Sequence, residues 1–129
     1  MTQRWWAGML VGGHLLGGCA ASHPTTSEAD FEDLRAAMTA SRTARDTVAV
    51  QCRGEIAARP EDERALIGAM LDVDTTDVPA EFCARLVAAI ARGDLDYADY
   101  VAISEGGTDP ALIRRFLRAI RLDPSAVAS

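Results

Sequence analysis

Apolar side chains between residues 31 and 120 recur at steps of three and four, and every run is cut by proline or glycine. That period is helical, and no stretch alternates with period two over the length of a strand. Ser27-Glu28-Ala29-Asp30 reads as a helix start, a hydroxyl cap with an acid three residues on. Phe31, Leu34, Met38, Val48, Cys52 and Ile56 form the first stripe, closed by Arg59-Pro60, since a residue before proline resists the helical region. Polar Ser41-Arg42-Thr43-Ala44-Arg45 interrupts it. The spacing predicts one long helix to about residue 58 with its early turns partly free of the core; a bend near residue 41 is the other option.

Pro60 opens a second helix at a first-turn position, with Glu61, Asp62 and Glu63 at the positive end of its dipole and Leu66, Ile67, Met70 and Leu71 as its buried face. Asp72-Val73-Asp74-Thr75-Thr76-Asp77 has the opening spacing of a calcium loop, but Asp77 stands where glycine is needed and Cys83 where a glutamate belongs. It reads instead as an acidic loop held by local side-chain to backbone hydrogen bonds. A third helix runs from Pro79 through Phe82, Cys83, Leu86, Val87 and Ile90 to Gly93. Asp96 caps a fourth, with Asp99 at its third position and Leu95 stapled to Tyr100, and Glu105-Gly106-Gly107 ends it. Asp109-Pro110 opens the fifth, apolar at Leu112, Ile113, Phe116, Leu117 and Ile120. The expected fold is all-α, a bundle of about five helices over residues 28–122, with a frayed tail at 123–129.

Composition agrees with helices rather than sheets. Of 129 residues 24 are alanine and 5% aromatic, which suits helices packed through small side chains. The length allows one domain with a modest core. All 13 basic residues are arginine, against 19 acids and a net charge of −6, a balance that argues against nonspecific nucleic-acid binding.

The first residues read as an address. Arg4 precedes an uncharged run from Trp5 to Leu16. At 1.5 Å per residue it spans roughly 18 Å, short of a bilayer core of roughly 30 Å. A positive start, an apolar centre and small residues at the end form the secretory pattern. The run finishes Leu16-Gly17-Gly18-Cys19, which resembles the lipobox of bacterial lipoproteins: an aliphatic residue three before a cysteine, then two small residues. The resemblance implies removal of residues 1–18 and modification of Cys19 by diacylglycerol and a further acyl chain such as palmitate. It also implies a place in the cell envelope facing the periplasm, on the outer membrane because residue 20 is alanine and not aspartate. Two or three acyl chains hold a protein stably where one is marginal. An ordinary signal cut after Ala20 or Ala21 is the competing reading. Residues 19–27 form a polar tether, and His23 within it has no neighbour to complete a metal site.

Cys52 and Cys83 remain, both on apolar helix faces and in an oxidising compartment. They read as a disulfide whose 31-residue loop stabilises by about 3.7 kcal/mol in the chain-entropy model. A redox-active pair is disfavoured, because no C-x-x-C motif is present. Beyond the tether the chain has no histidine, and lysine is absent throughout; Ser41 and Ser104 lie outside any glycine-rich elbow. Asp94, Asp96 and Asp99 cluster at one helix start, where capping accounts for Asp96 and Asp99 without catalysis. No metal, cofactor or phosphate loop is expected.

Arg114, Arg115, Arg118 and Arg121 gather on the fifth helix. The bland account is a solvated face balancing an acidic body; the sharper one is a docking stripe for an acidic partner, with anionic lipid headgroups a third option. Tyr97 and Tyr100 either join that patch or cover the core. The expected function is a non-enzymatic, lipid-anchored adaptor that binds another envelope protein. Its architecture resembles that of the secretion pilotins, helical lipoproteins that escort a pore-forming subunit to the outer membrane, although no motif residue carries that likeness. A stress chaperone or inhibitor released by acid is the alternative, since 19 carboxylates make stability pH-dependent. A carboxylate-based hydrolase ranks third.

Overall fold

The computed structural model describes residues 26–121. The signal segment, Cys19, most of the tether and the tail at 123–129 lie outside the described residues. Six α-helices follow one another: α1 (Glu28–Ala40), α2 (Arg42–Ala57), α3 (Glu61–Leu71), α4 (Val78–Arg92), α5 (Tyr97–Ser104) and α6 (Pro110–Arg121). A single 3-10 turn, Thr75–Asp77, joins α3 to α4, and no strand occurs among the described residues. The described residues are all-α, as the periodicity predicts, with one helix more than the expected five.

The extra helix comes from Ser41. Its backbone is extended (φ −138°, ψ 121°), its N–H donates to Ala37 O at 2.9 Å, and its hydroxyl accepts from Ala44 N at 3.2 Å. One residue thus ends α1 and caps α2. Arg45 Nη1 donates to Met38 O at 2.6 Å, satisfying a carbonyl that the break leaves without a helical partner. Thr39 Oγ1 donates to Ala91 O at 2.9 Å and ties the end of α1 to the end of α4. The expectation of one long helix with free early turns is therefore corrected: α1 folds back, and Phe31 and Met38 are buried.

Helix α4 is the centre of the bundle, packed against α1, α2, α3 and α6. Six of its side chains are buried, and three of them are Ala88, Ala89 and Ala91. A methyl side chain lets a neighbouring backbone approach closely, which is how an alanine-rich chain with few aromatics fills its interior. Met38, Leu95 and Ile120 are fully enclosed around it, together with its own Val78. Each contributes about 1.5–3 kcal/mol by leaving water.

The helix starts follow the sequence closely. Ser27 Oγ accepts from Asp30 N at 3.1 Å, and Asp109 Oδ2 accepts from Leu112 N at 3.0 Å. Asp96 and Asp99 form a reciprocal capping box at α5. Gly93 closes α4 in the left-handed conformation (φ 82°). Four details differ. Pro60 precedes α3 as its cap instead of occupying the first turn. The 72–77 loop is held by backbone bonds, Val73 N to Gly68 O and Asp77 N to Asp74 O, both 2.9 Å. Leu34 and Ile113 are exposed. Leu66, expected to be buried, is 64% exposed.

The last difference has a simple geometric cause. Adjacent pairs Leu66-Ile67 and Met70-Leu71 leave the inward direction of α3 uncertain by 100°. Gly68, invisible to a hydrophobic stripe, decides it: Gly68 and Leu71 form the buried line, and Leu66 lies 200° from Gly68 around the helix. A methyl at Gly68 would stand 2.7 Å from Val73 O and 3.1 Å from Val78 Cγ2, so only glycine admits the returning loop.

Candidate functional site: the arginine face of α6 and an adjoining groove

Helix α6 turns Leu112, Ala119 and Ile120 into the core and leaves all four arginines exposed. The four are not equivalent. Arg115 Nη2 donates to Asp99 Oδ1 at 2.7 Å, and Asp99 is the one buried charged residue among the described residues. The hydrogen bond to Asp99, then its charge, with smaller contributions from Asp109 and Asp96, raise the Arg115 pKa above its ordinary value. Arg115 therefore clamps α6 to the start of α5. Arg121 Nη2 reaches Met70 O at 3.4 Å, beside the negative end of α3.

Arg114 and Arg118 remain. Among the described residues neither forms an ion pair, and their i,i+4 spacing sets their Cβ atoms about 6 Å apart. Arg118 also borders a shallow hollow of about 210 Å³ shared with Asp94, Arg115 and Ala119. Asp94 there accepts from Arg92 Nε at 2.8 Å, while Arg92 Nη2 donates to Ala119 O at 3.1 Å. The three clustered acids of the α5 start are thus each engaged: Asp94 by Arg92, Asp96 by the Asp99 amide, Asp99 by Arg115. Among the described residues no group of three histidine, cysteine or acidic side chains could hold a metal ion.

Cys52 of α2 and Cys83 of α4 are joined, with Cα atoms 5.8 Å apart and 31 residues between them in sequence. Cys83 is fully buried, packed with Ile56 and Val78. Cys52 is half-buried and borders a groove of about 420 Å³. Side chains from α2 to α6 wall this groove, among them Ile56, Met70, Phe82, Leu86, Ile103 and Phe116. Phe82 and Phe116 meet across it at 6.3 Å. Of its polar side chains, Glu55, Arg59 and Ser104 are exposed and Tyr100 is half-buried, and Arg59 Nη1 pairs with Glu63 Oε2 at 3.3 Å. The groove was not expected from the sequence, because its walls are the same aliphatic positions that read as core.

Tyr100 also lines the groove and connects it to the start of the domain. Its ring lies 5.3 Å from Phe31 and 6.4 Å from Tyr97. Tyr97 Oη donates to Thr26 O at 2.9 Å, pinning the chain where it enters α1. The tyrosines therefore pack on Phe31 of the core and hold the chain entry.

Comparison with known proteins finds no matching family model, no similar curated protein and no similar solved structure. Among the described residues no helix is long and apolar enough to cross a membrane.

Proposed function

We propose that the protein is a lipid-anchored, non-enzymatic adaptor of the bacterial cell envelope, held by Cys19 on the periplasmic face of a membrane, the outer one by the alanine at position 20. The observation that carries the reading is the joining of the Leu16-Gly17-Gly18-Cys19 run to a disulfide-linked helical domain. Such a domain suits an oxidising compartment. The partner is a protein presenting an acidic segment, and charge complementarity supports this: Arg114 and Arg118 are exposed, about one helical turn apart and free of ion pairs among the described residues. Arginine suits such an interface because its planar fork meets carboxylates in pairs. The docking surface is narrower than the four-arginine stripe, since Arg115 serves Asp99 and Arg121 leans on α3.

Two measurements test it. Cys19→Ser should move the protein out of the membrane fraction; persistence with the membranes defeats the anchor. Crosslinking and pull-down of the native protein at neutral pH should give one stoichiometric partner, lost on joint Arg114→Glu and Arg118→Glu substitution and restored by reversing the partner's acids. Capture that ignores these substitutions defeats the arginine surface. Many clients appearing only below about pH 4, near carboxylate pKa values, would favour the acid-released chaperone instead.

A further inference from the structure

We propose that the apolar groove walled by α2 to α6 shelters one acyl chain of the protein's own lipid anchor when no bilayer is at hand; this rests on the reading of Cys19 as lipidated. The first support is the groove's chemistry. Its volume of about 420 Å³ falls within the roughly 300–1,000 Å³ of small-molecule sites, and most of its wall is hydrocarbon and aromatic. Among the described residues its charged groups stand at the exposed rim, where Arg59 is paired with Glu63 and accompanied by Glu55, and the Tyr100 phenol is the one half-buried polar side chain of its wall. Such a rim repels a free carboxylate and accepts a chain whose head is an uncharged amide or ester. That distinction favours a protein-linked acyl chain over a free fatty acid.

The second support is where the chain enters the fold. Thr26 is fixed by the Tyr97 hydroxyl, and the Tyr97 ring lies 6.4 Å from that of Tyr100, a wall of the groove. The backbone from Cys19 to Thr26 covers at most about 25 Å at 3.3–3.6 Å per residue, so an acyl group on Cys19 reaches the groove with length to spare. In a bilayer the same chain enters the lipid, whose hydrocarbon is deeper than the groove. Away from one, between synthesis and final insertion, the groove removes it from water.

The test uses the full mature lipoprotein made in cells fed a diazirine-bearing fatty acid, purified and diluted out of detergent before irradiation. Intact mass first reports whether Cys19 carries acyl groups. Intramolecular crosslinks to peptides holding Phe82, Leu86 or Phe116 are expected. Ile103→Asp, which places a charge in the wall, and Ser104→Trp, which fills the mouth from an exposed position, should each lower those crosslinks several-fold. Circular dichroism and the intact disulfide confirm that each variant is folded. Acylated protein whose crosslinks scatter over the outer surface, or do not respond to either substitution, overturns the groove proposal alone. Absence of acyl mass on Cys19 overturns the anchor reading and the groove proposal with it. Binding of free palmitate to Cys19→Ser protein as strong as capture of the attached chain would also overturn it, since the rim would then not discriminate.

Discussion

Arg115 Nη2 lies 2.7 Å from Asp99 Oδ1, and this one bond sets Arg115 apart as the arginine of α6 that holds a buried carboxylate. Asp99 needs the contact more than Arg115 does, because the carboxylate is buried while the guanidinium is half in solvent. Removing one partner of such a pair leaves the buried charge uncompensated. Arg115→Ala should therefore lower the urea midpoint clearly, while Arg114→Ala should change stability by no more than about 0.5 kcal/mol. Equal midpoints for the two variants would contradict the clamp.

Reduction should cost the domain about 2–4 kcal/mol, because the Cys52–Cys83 bond closes a 31-residue loop in a chain with a modest core. Paired thermal melts with and without reductant, and a Cys52→Ala/Cys83→Ala variant, measure this. The double variant and the reduced native protein should melt together, since both relax the same loop.

Two glycines should respond with opposite sign to the same methyl group. Gly68→Ala forces a Cβ to 2.7 Å from the Val73 carbonyl and should destabilise by about 1–3 kcal/mol. Gly54, inside α2 with open space around it, should gain about 0.5–1 kcal/mol on replacement by alanine, as helix interiors do. Denaturant unfolding of the two single variants checks both signs.

Tyr97→Phe deletes the donor to Thr26 O and should cost about 1 kcal/mol or less, since the freed carbonyl can take a water. Its more telling effect is local. Hydrogen exchange over residues 26–31 should speed up while the rest of the domain keeps its protection.

Most of the fold was legible because its signals are local. Ser27, Asp96 and Asp109 cap the helices they were expected to cap, and Gly93 ends α4, each through contacts within a few residues. The disulfide was legible from two cysteines on apolar helix faces and from the secretory pattern expected of the first residues. The break at Ser41 was harder, because what decides it is tertiary: Thr39 reaching Ala91 and Arg45 reaching Met38 stabilise a turned chain over a straight helix. The inward direction of α3 depended on Gly68, whose role is to have no side chain. The arginine face was visible as a stripe, but its division was not, since Asp99 already had a complete explanation as a capping residue. The groove escaped altogether, because a lining side chain and a core side chain obey the same periodicity.

The bond between α2 and α4 also decides what a protease can do to this molecule. Any single cut between Arg53 and Phe82 falls inside the closed loop, so the two pieces stay covalently joined. The exposed turn at Ala58, Arg59 and Pro60 is the natural place for such a nick. A nicked molecule would gain only the mass of one water, keep any anchor on Cys19, and separate into two bands only after reduction.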